Sequence, residues 1–165
     1  MKAVALVAHP DDCVIFASGY IDAHREYEWT IVYLTHWRLH KRGREIARYW
    51  RKRGVRTQFL GFKDHGRDLG QNELLTWDKA SAIRALRRAT VGYDLILTHG
   101  EEGEYGHPHH KVVHESTHVF GCKKVYFSLD RNDIMYPLNI CLAELPRHSN
   151  LSLIHISEPT RPERI

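Results

Sequence analysis

Cysteine is scarce in this sequence, and the few that occur stand far apart. Cys13, Cys122 and Cys141 are odd in number and show no Cys-x-x-Cys spacing. This pattern argues against a disulfide framework and against a cysteine-based zinc site. We therefore expect buried free thiols.

Long hydrophobic runs are also missing. No apolar stretch approaches the roughly 18–20 residues that a membrane helix needs, although 42% of the chain is hydrophobic. The segment 1–8 is too short for a secretory signal and leads directly into a polar motif. We therefore expect a soluble, cytoplasmic protein without a membrane span, and the 165 residues suit a single globular domain.

Short apolar runs alternate with segments of helical periodicity along the chain. Strands are predicted at 2–8, 29–35, 55–60, 93–98 and 124–128. Helices are predicted at 13–24, at 40–53 with Gly54 at the position after the last turn, from residue 72 or 73 to 90, and from 109 to about 120. This order predicts an α/β fold with a Rossmann-like, mostly parallel sheet flanked by helices.

The turn after the first strand lacks the Gly-x-Gly-x-x-Gly pattern of dinucleotide-binding domains. It reads Ala8-His9-Pro10-Asp11-Asp12 instead. Two carboxylates at this place would repel a phosphate group but suit a cation. Ligands of open α/β sheets bind beyond the carboxyl ends of the strands, so this turn stands where chemistry is expected.

A second polar cluster, His107-Pro108-His109-His110, follows the fourth strand. Strands 1 and 4 are neighbours in the common doubly wound order, so the two clusters should meet over one crevice. His9, Asp12 and His110 would then leave one open position in a tetrahedral site, which is the arrangement of catalytic zinc. Asp11 would point elsewhere and remain free.

A competing metal set is His110, His114 and His118, spaced four residues apart on one helix. That helix is predicted to bury Val112, Val113, Val119 and Phe120. The histidines would then face the other side, and each turn moves them about 5 Å further from the strand ends. We therefore interpret His114 and His118 as exposed. His36, His99 and His109 are placed at the edge of the crevice.

Positive charge is concentrated in one segment of a chain whose net charge is +4. Only Glu45 opposes the basic residues there, which are Arg38, Lys41, Arg42, Arg44, Arg48, Arg51, Lys52, Arg53 and Arg56. Ile46, Tyr49 and Trp50 share the other side of the helical wheel, which favours a solvated helix face. The alternative is a nucleic-acid or anionic-surface binding module using residues 38–56.

The first turn, together with Glu104-Tyr105-Gly106-His107-Pro108-His109-His110, resembles the PIG-L family of zinc-dependent de-N-acetylases over about residues 2–128. The resemblance implies that His9, Asp12 and His110 bind Zn²⁺. It further implies that Asp11 is the general base and that His107 stabilises the tetrahedral intermediate.

The same resemblance implies a zinc-dependent N-deacetylase acting on linear amides. Its substrate would be a small N-acetylglucosamine-type sugar conjugate, with Asp64 contacting sugar hydroxyls and no nucleic acid as partner. Two positions depart from the family pattern. Cys13 stands where the family often has Glu, and His109 replaces the Asp of the usual His-x-Asp-His motif.

The last fifteen residues carry an unusual pattern. Residues 151–161 match the translation of a transposase-adapter DNA sequence, so we expect 151–165 not to be native. The predicted domain is then 1–150, incomplete at its C-terminus. An inactive metal-binding remnant is accordingly a further alternative to an active enzyme.

Overall fold

The computed structural model describes residues 1–64 and 77–127. Its strands are β1 (Lys2–Val7), β2 (Glu28–Thr35), β3 (Arg56–Phe62), β4 (Leu95–Thr98) and β5 (Lys123–Tyr126). Its helices are α1 (Ser18–Ala23), α2 (Lys41–Arg51), α3 (Lys79–Thr90), the short α4 (Gly103–Gly106) and α5 (Pro108–Ser116). A π-helical segment, Cys13–Ala17, runs directly into α1.

The five strands form one parallel sheet in the order β3-β2-β1-β4-β5. Val4 of the central strand β1 stands opposite Thr30 of β2 on one side and Ile96 of β4 on the other. The predicted α/β fold is confirmed, including the neighbouring positions of β1 and β4. The strand order reverses between these two strands, and this is where an open α/β sheet forms its crevice.

Strand β1 is covered on both faces, which explains why its sequence is an unbroken apolar run. Its alternate residues enter two different cores. Ala3, Ala5 and Val7 pack on the side of α1 and α2, whereas Val4 and Leu6 pack on the side of α3 and α5. The period-two alternation of a strand thus divides one short segment between two hydrophobic clusters.

Two predicted helices extend over described residues that are not helical, 77–78 before α3 and 117–120 after α5. Helix α3 begins at Lys79 because the Asp78 carboxylate caps it, accepting from the backbone N–H of Ala80 at 3.2 Å and of Ser81 at 2.9 Å. Helix α5 ends at Ser116 instead of about residue 120. Val119, predicted to be buried, is consequently 59% exposed.

Some predicted features lie outside the described residues. They are the helix start at 72 or 73, the loop residues 65–70, Ser128, Cys141, the segment 129–150 and the tail 151–165. Of the other two cysteines, both free, Cys13 is buried and Cys122 is half-buried. Among the residues described here, no helix combines the length and apolar character needed to cross a membrane.

Candidate active site

The turn after β1 is held together by its own backbone. The N–H of His9 donates to Oδ2 of Asp12 at 2.7 Å, and both side chains are almost completely buried. The carbonyl of Asp11 accepts from Val14 and Ile15 and so begins the π-helical segment. The turn therefore presents His9, Asp11 and Asp12 together at the carboxyl edge of the sheet.

Three donor atoms converge beside this turn, as the sequence predicted. Oδ2 of Asp12 lies 3.2 Å from Nδ1 of His9 and 3.3 Å from Nε2 of His110, and those two nitrogens are 3.4 Å apart. Around a tetrahedral zinc-sized ion with bonds of about 2.0–2.1 Å, neighbouring donors stand about 3.3–3.4 Å apart. The three side chains could therefore hold such an ion with a fourth position open.

The charge state of Asp12 suits a cation. Burial alone would raise the pKa of its carboxyl group, but the charges and hydrogen bonds of His110 and His9 hold that pKa well below its usual value. Asp12 is consequently an anion inside a buried cluster. One anionic oxygen and two imidazole nitrogens form a donor set that zinc accepts.

The ring of His110 is oriented by Glu104, a residue that the sequence interpretation did not single out. Oε2 of Glu104 accepts from Nδ1 of His110 at 2.6 Å and from Nδ1 of His99 at 2.8 Å, and Oε1 accepts from the N–H of Gly100 at 2.8 Å. With Nδ1 bonded to Glu104, it is Nε2 of His110 that faces Asp12, and Nε2 would be the nitrogen that binds an ion placed there. Burial raises the pKa of Glu104, but the two imidazoles lower it further, to about 2.

Glu104 adopts a backbone conformation that is rare outside glycine, with φ 58° and ψ −71°. Such a conformation persists only where the surroundings hold it in place. Here the hydrogen bonds of its carboxylate to His99, Gly100 and His110 do so. The unusual backbone lets a residue six positions before His110 turn back and reach that ring.

His99 lies beneath the cluster and not at the crevice edge, so that prediction is wrong. It is fully buried, its Nε2 accepts from the N–H of Ala8 at 3.1 Å, and its ring stacks on His110 with centroids 3.8 Å apart. Its position directly after β4 is the signal that could have identified it, because the strand ends line the crevice.

His109 was also placed at the edge, and it too is buried. Its Nδ1 lies 3.0 Å from Nε2 of His9. If Nδ1 of His9 binds an ion, the ring proton is on Nε2, and Nδ1 of His109 is placed to accept it.

The two remaining histidines of the competing metal set differ in their exposure to solvent. His114, predicted to be exposed, is half-buried, and its Nδ1 donates to the carbonyl of His99 at 3.0 Å. His118 is exposed, as predicted. Within the described residues, His110, His114 and His118 do not bring their donor atoms together, so the competing metal set is wrong.

Asp11 is directed away from the three converging donor atoms, and its carboxylate has a partner of its own. Its Oδ2 accepts from Nη2 of Arg42 at 3.2 Å, and its side chain is 29% exposed. Burial and the negative charge of Asp12 raise the pKa of Asp11, while Arg42 and His9 oppose them. Arg42 comes from α2, so one residue of the basic segment reaches this cluster.

His107 lies at the start of α5, where its Nδ1 accepts from the N–H of His109 at 3.2 Å. Burial and the neighbouring imidazoles lower the pKa of His107 to about 3. In the neutral ring Nδ1 is the acceptor, so Nε2 carries the proton and is a donor. The ring centroid lies 4.6 Å from that of His9 and 4.8 Å from that of His110.

Two further side chains stand beside the cluster. The carboxylate of Asp64 places Oδ1 3.8 Å from Nε2 of His9 and Oδ2 3.8 Å from Nε2 of His36. Tyr105, which the sequence interpretation did not assign, is 58% exposed, and its ring centroid lies 5.2 Å from that of His110. Asp64 therefore lies next to His9, one of the predicted metal ligands.

Comparisons with known proteins identify the family of this chain. The family described as PIG-L: GlcNAc-PI de-N-acetylase matches residues 4–120. The chain belongs to the PIG-L family. A similar protein is the 1D-myo-inositol 2-acetamido-2-deoxy-alpha-D-glucopyranoside deacetylase of Corynebacterium diphtheriae (strain ATCC 700971 / NCTC 13129 / Biotype gravis), which is 29% identical. The match covers 72% of this chain and 51% of that protein, so the chain spans about half the length of this PIG-L relative.

Solved structures share the fold. A deacetylase of teicoplanin biosynthesis, in the complex titled deacetylase-bog, has a TM-score of 0.59 at 15% identity, covering 82% of this chain and 70% of its own. The zinc-inhibited form of teicoplanin deacetylase Orf2 has a TM-score of 0.57 at 12% identity, with the same coverage. GalB, the 4-carboxy-2-hydroxymuconate hydratase of Pseudomonas putida KT2440, reaches 0.50 at 20% identity, covering 70% of this chain and 55% of its own. Because a hydratase is among them, the fold by itself does not determine the reaction.

Proposed function

We propose that this PIG-L chain is a zinc-dependent hydrolase that removes the N-acetyl group from an N-acetylglucosamine-type sugar conjugate. The observation that carries the proposal is the convergence of Nδ1 of His9, Oδ2 of Asp12 and Nε2 of His110 at 3.2–3.4 Å. A carboxylate, Asp11, and an imidazole donor, His107, flank these three residues. A sugar deacetylase among the relatives supports the substrate class.

The metal would be held by His9, Asp12 and His110, whose donor types and spacing fit zinc. When bound, zinc supplies Lewis-acid chemistry that polarises an amide carbonyl and makes water more acidic. The protein's part is to keep both imidazoles in the right tautomer. Glu104 does so for His110 and His109 does so for His9.

Asp11 is the proposed general base. It would take a proton from water as the water oxygen attacks the amide carbon, and it would return that proton to the nitrogen as the C–N bond breaks. Acetate and a free amine are the products. The hydrogen bond from Arg42 keeps the Asp11 carboxylate in a fixed orientation next to the turn.

His107 is the proposed stabiliser of the oxyanion. Its Nδ1 is occupied by the N–H of His109, so only Nε2–H is available to donate to the developing negative charge. A donor that is already oriented needs no rearrangement during the reaction. Asp64, next to His9 and His36, is the proposed contact for sugar hydroxyls.

The proposal is tested by metal analysis and by amine release from a panel of N-acetylglucosamine conjugates. We expect one equivalent of zinc, and release of acetate and amine in equal amounts from at least one conjugate. Removal of the metal by a chelator should abolish release, and added Zn²⁺ should restore it. Folded, zinc-loaded protein that releases no amine from any conjugate would contradict the activity.

A further inference from the structure

The proposed activity uses only Arg42 from the basic segment and leaves the rest of it without a role. Part of this remainder borders a groove of about 660 Å³ between α2, the loop before it and the edge strand β3. Five arginines and an exposed leucine line it: Arg38, Leu39, Arg44, Arg48, Arg51 and Arg56. No acidic residue is among its lining side chains. Arg56 is paired with Glu28 beside the groove, and the other four arginines give the groove charge of one sign.

Most of this charge is not neutralised by the protein itself. Within residues 1–64 and 77–127, the side chains of Arg38, Arg48 and Arg51 make no hydrogen bond or ion pair. Arg44 donates to the carbonyl of Leu39 at 2.9 Å, which leaves its positive charge uncompensated. Arg44 and Arg48 are one helical turn apart, and like charges at that spacing repel each other. An anionic partner would relieve this repulsion.

Two large apolar side chains are exposed beside the same groove. Trp37 is 66% exposed and Leu39 is 79% exposed, and they flank Arg38 in the loop between β2 and α2. The Trp37 ring rests on Gly61 of β3, where φ is +79° and an added Cβ would stand 2.6 Å from the ring. The glycine thus lets the indole lie on the outside of the sheet edge.

We propose that this surface docks on an anionic lipid bilayer. The basic face is defined as Trp37, Arg38, Leu39, Arg44, Arg48, Arg51 and Arg56. Arginines bind lipid phosphates and carboxylates, and tryptophan prefers the boundary between headgroups and acyl chains. The 11 residues of α2 extend about 16 Å, long enough to lie across several headgroups.

A lipid surface fits better than a single-stranded nucleic acid. Bases would need aromatic side chains interleaved with the arginines. The aromatic residues of α2 are instead buried, with Tyr49 6% and Trp50 0% exposed. The exposed apolar side chains of the basic face, Trp37 and Leu39, can enter a membrane interface. The inference does not rest on the proposed deacetylase activity.

The test is sedimentation of the whole chain with vesicles of phosphatidylcholine alone or mixed with phosphatidylserine. We expect binding to the mixed vesicles only, weakening as salt is raised. Replacing three arginines together, Arg44→Gln, Arg48→Gln and Arg51→Gln, should lower the partition coefficient by about a hundredfold. Trp37→Phe should reduce quenching of tryptophan fluorescence by brominated lipid.

The matched control removes the same charge elsewhere, through Arg25→Gln, Arg88→Gln and Lys123→Gln at exposed positions outside the basic face. This control should bind vesicles within about threefold of the unchanged chain, because these positions lie away from the docking surface. Circular dichroism verifies that both triple variants are folded. Equal loss in both triple variants, or equal binding to neutral vesicles, would overturn the inference. Binding of duplex DNA or polyphosphate without vesicle binding would overturn it as well.

Discussion

The turn after β1 and the segment after β4 both supply candidate metal ligands, but they fix these ligands in different ways. His9 and Asp12 are three residues apart, and a backbone N–H links them at 2.7 Å. His110 stands in the first turn of a helix and depends on a 2.6 Å bond to Glu104. The first turn is thus ordered by a backbone N–H bonded to one of its own ligand side chains, and the second by the carboxylate of a residue that is not a predicted ligand. This difference indicates which substitutions should remove a metal ligand and which should only weaken the affinity for the metal.

The largest expected effect is that of His110→Ala. This change removes one of three donors and leaves Asp12 and His9 unable to complete the site. We expect zinc content after dialysis to fall from one equivalent to near zero, measured by mass spectrometry of the metal, and activity to disappear with it. His118→Ala, an exposed position just beyond α5, is the matched control and should keep its zinc. Retention of a full equivalent in His110→Ala would rule out its role as ligand.

Asp11→Asn should separate chemistry from metal binding within the first turn. Without a base, turnover should fall by about 10²–10⁴-fold, while zinc content stays at one equivalent because Asp12 still holds the metal. Steady-state kinetics and metal analysis on the same preparation measure both. Asp22→Asn, at a carboxylate paired with Arg25, serves as control. Loss of zinc from Asp11→Asn would mean that Asp11 is itself a ligand.

His107→Asn should separate catalytic chemistry from metal binding in the segment after β4. Asparagine still caps α5, but its shorter side chain does not place a donor where Nε2 of His107 stands. We expect kcat to fall by about 10²–10³-fold with little change in KM or zinc content. An unchanged kcat would show that charge is stabilised by another group.

Glu104→Gln should have the smallest effect on zinc binding and activity among these variants. It tests most directly whether the segment after β4 needs a carboxylate to orient its ligand. A glutamine cannot accept from His99, His110 and Gly100 at once, since one of its terminal atoms is a donor. We expect zinc affinity to weaken by about 10–100-fold, as for other groups that orient a ligand. Competition with a chelator measures it. If affinity is unchanged, the second segment does not need its carboxylate and the two turns are alike.

Much of this arrangement could be predicted from the sequence, because strands and their polar ends leave clear local patterns. The α/β alternation and the meeting of His9 and Asp12 with His110 follow from apolar periodicity and strand order. The orienting role of Glu104 does not, since it depends on a positive φ that no sequence pattern at this residue indicates. The hydrogen bonds of His99 and His109 likewise depend on how α5 packs over β1 and β4.

The reversal of strand order between β1 and β4 has a consequence for folding stability. Donors 101 residues apart in the chain come within 3.4 Å only after both strands are paired. An ion held there would bind the folded chain and not the unfolded one. Each tenfold rise in its free concentration above Kd would then add about 1.4 kcal/mol to the free energy of unfolding. The metal would act as a reversible cross-link between the two halves of the sheet.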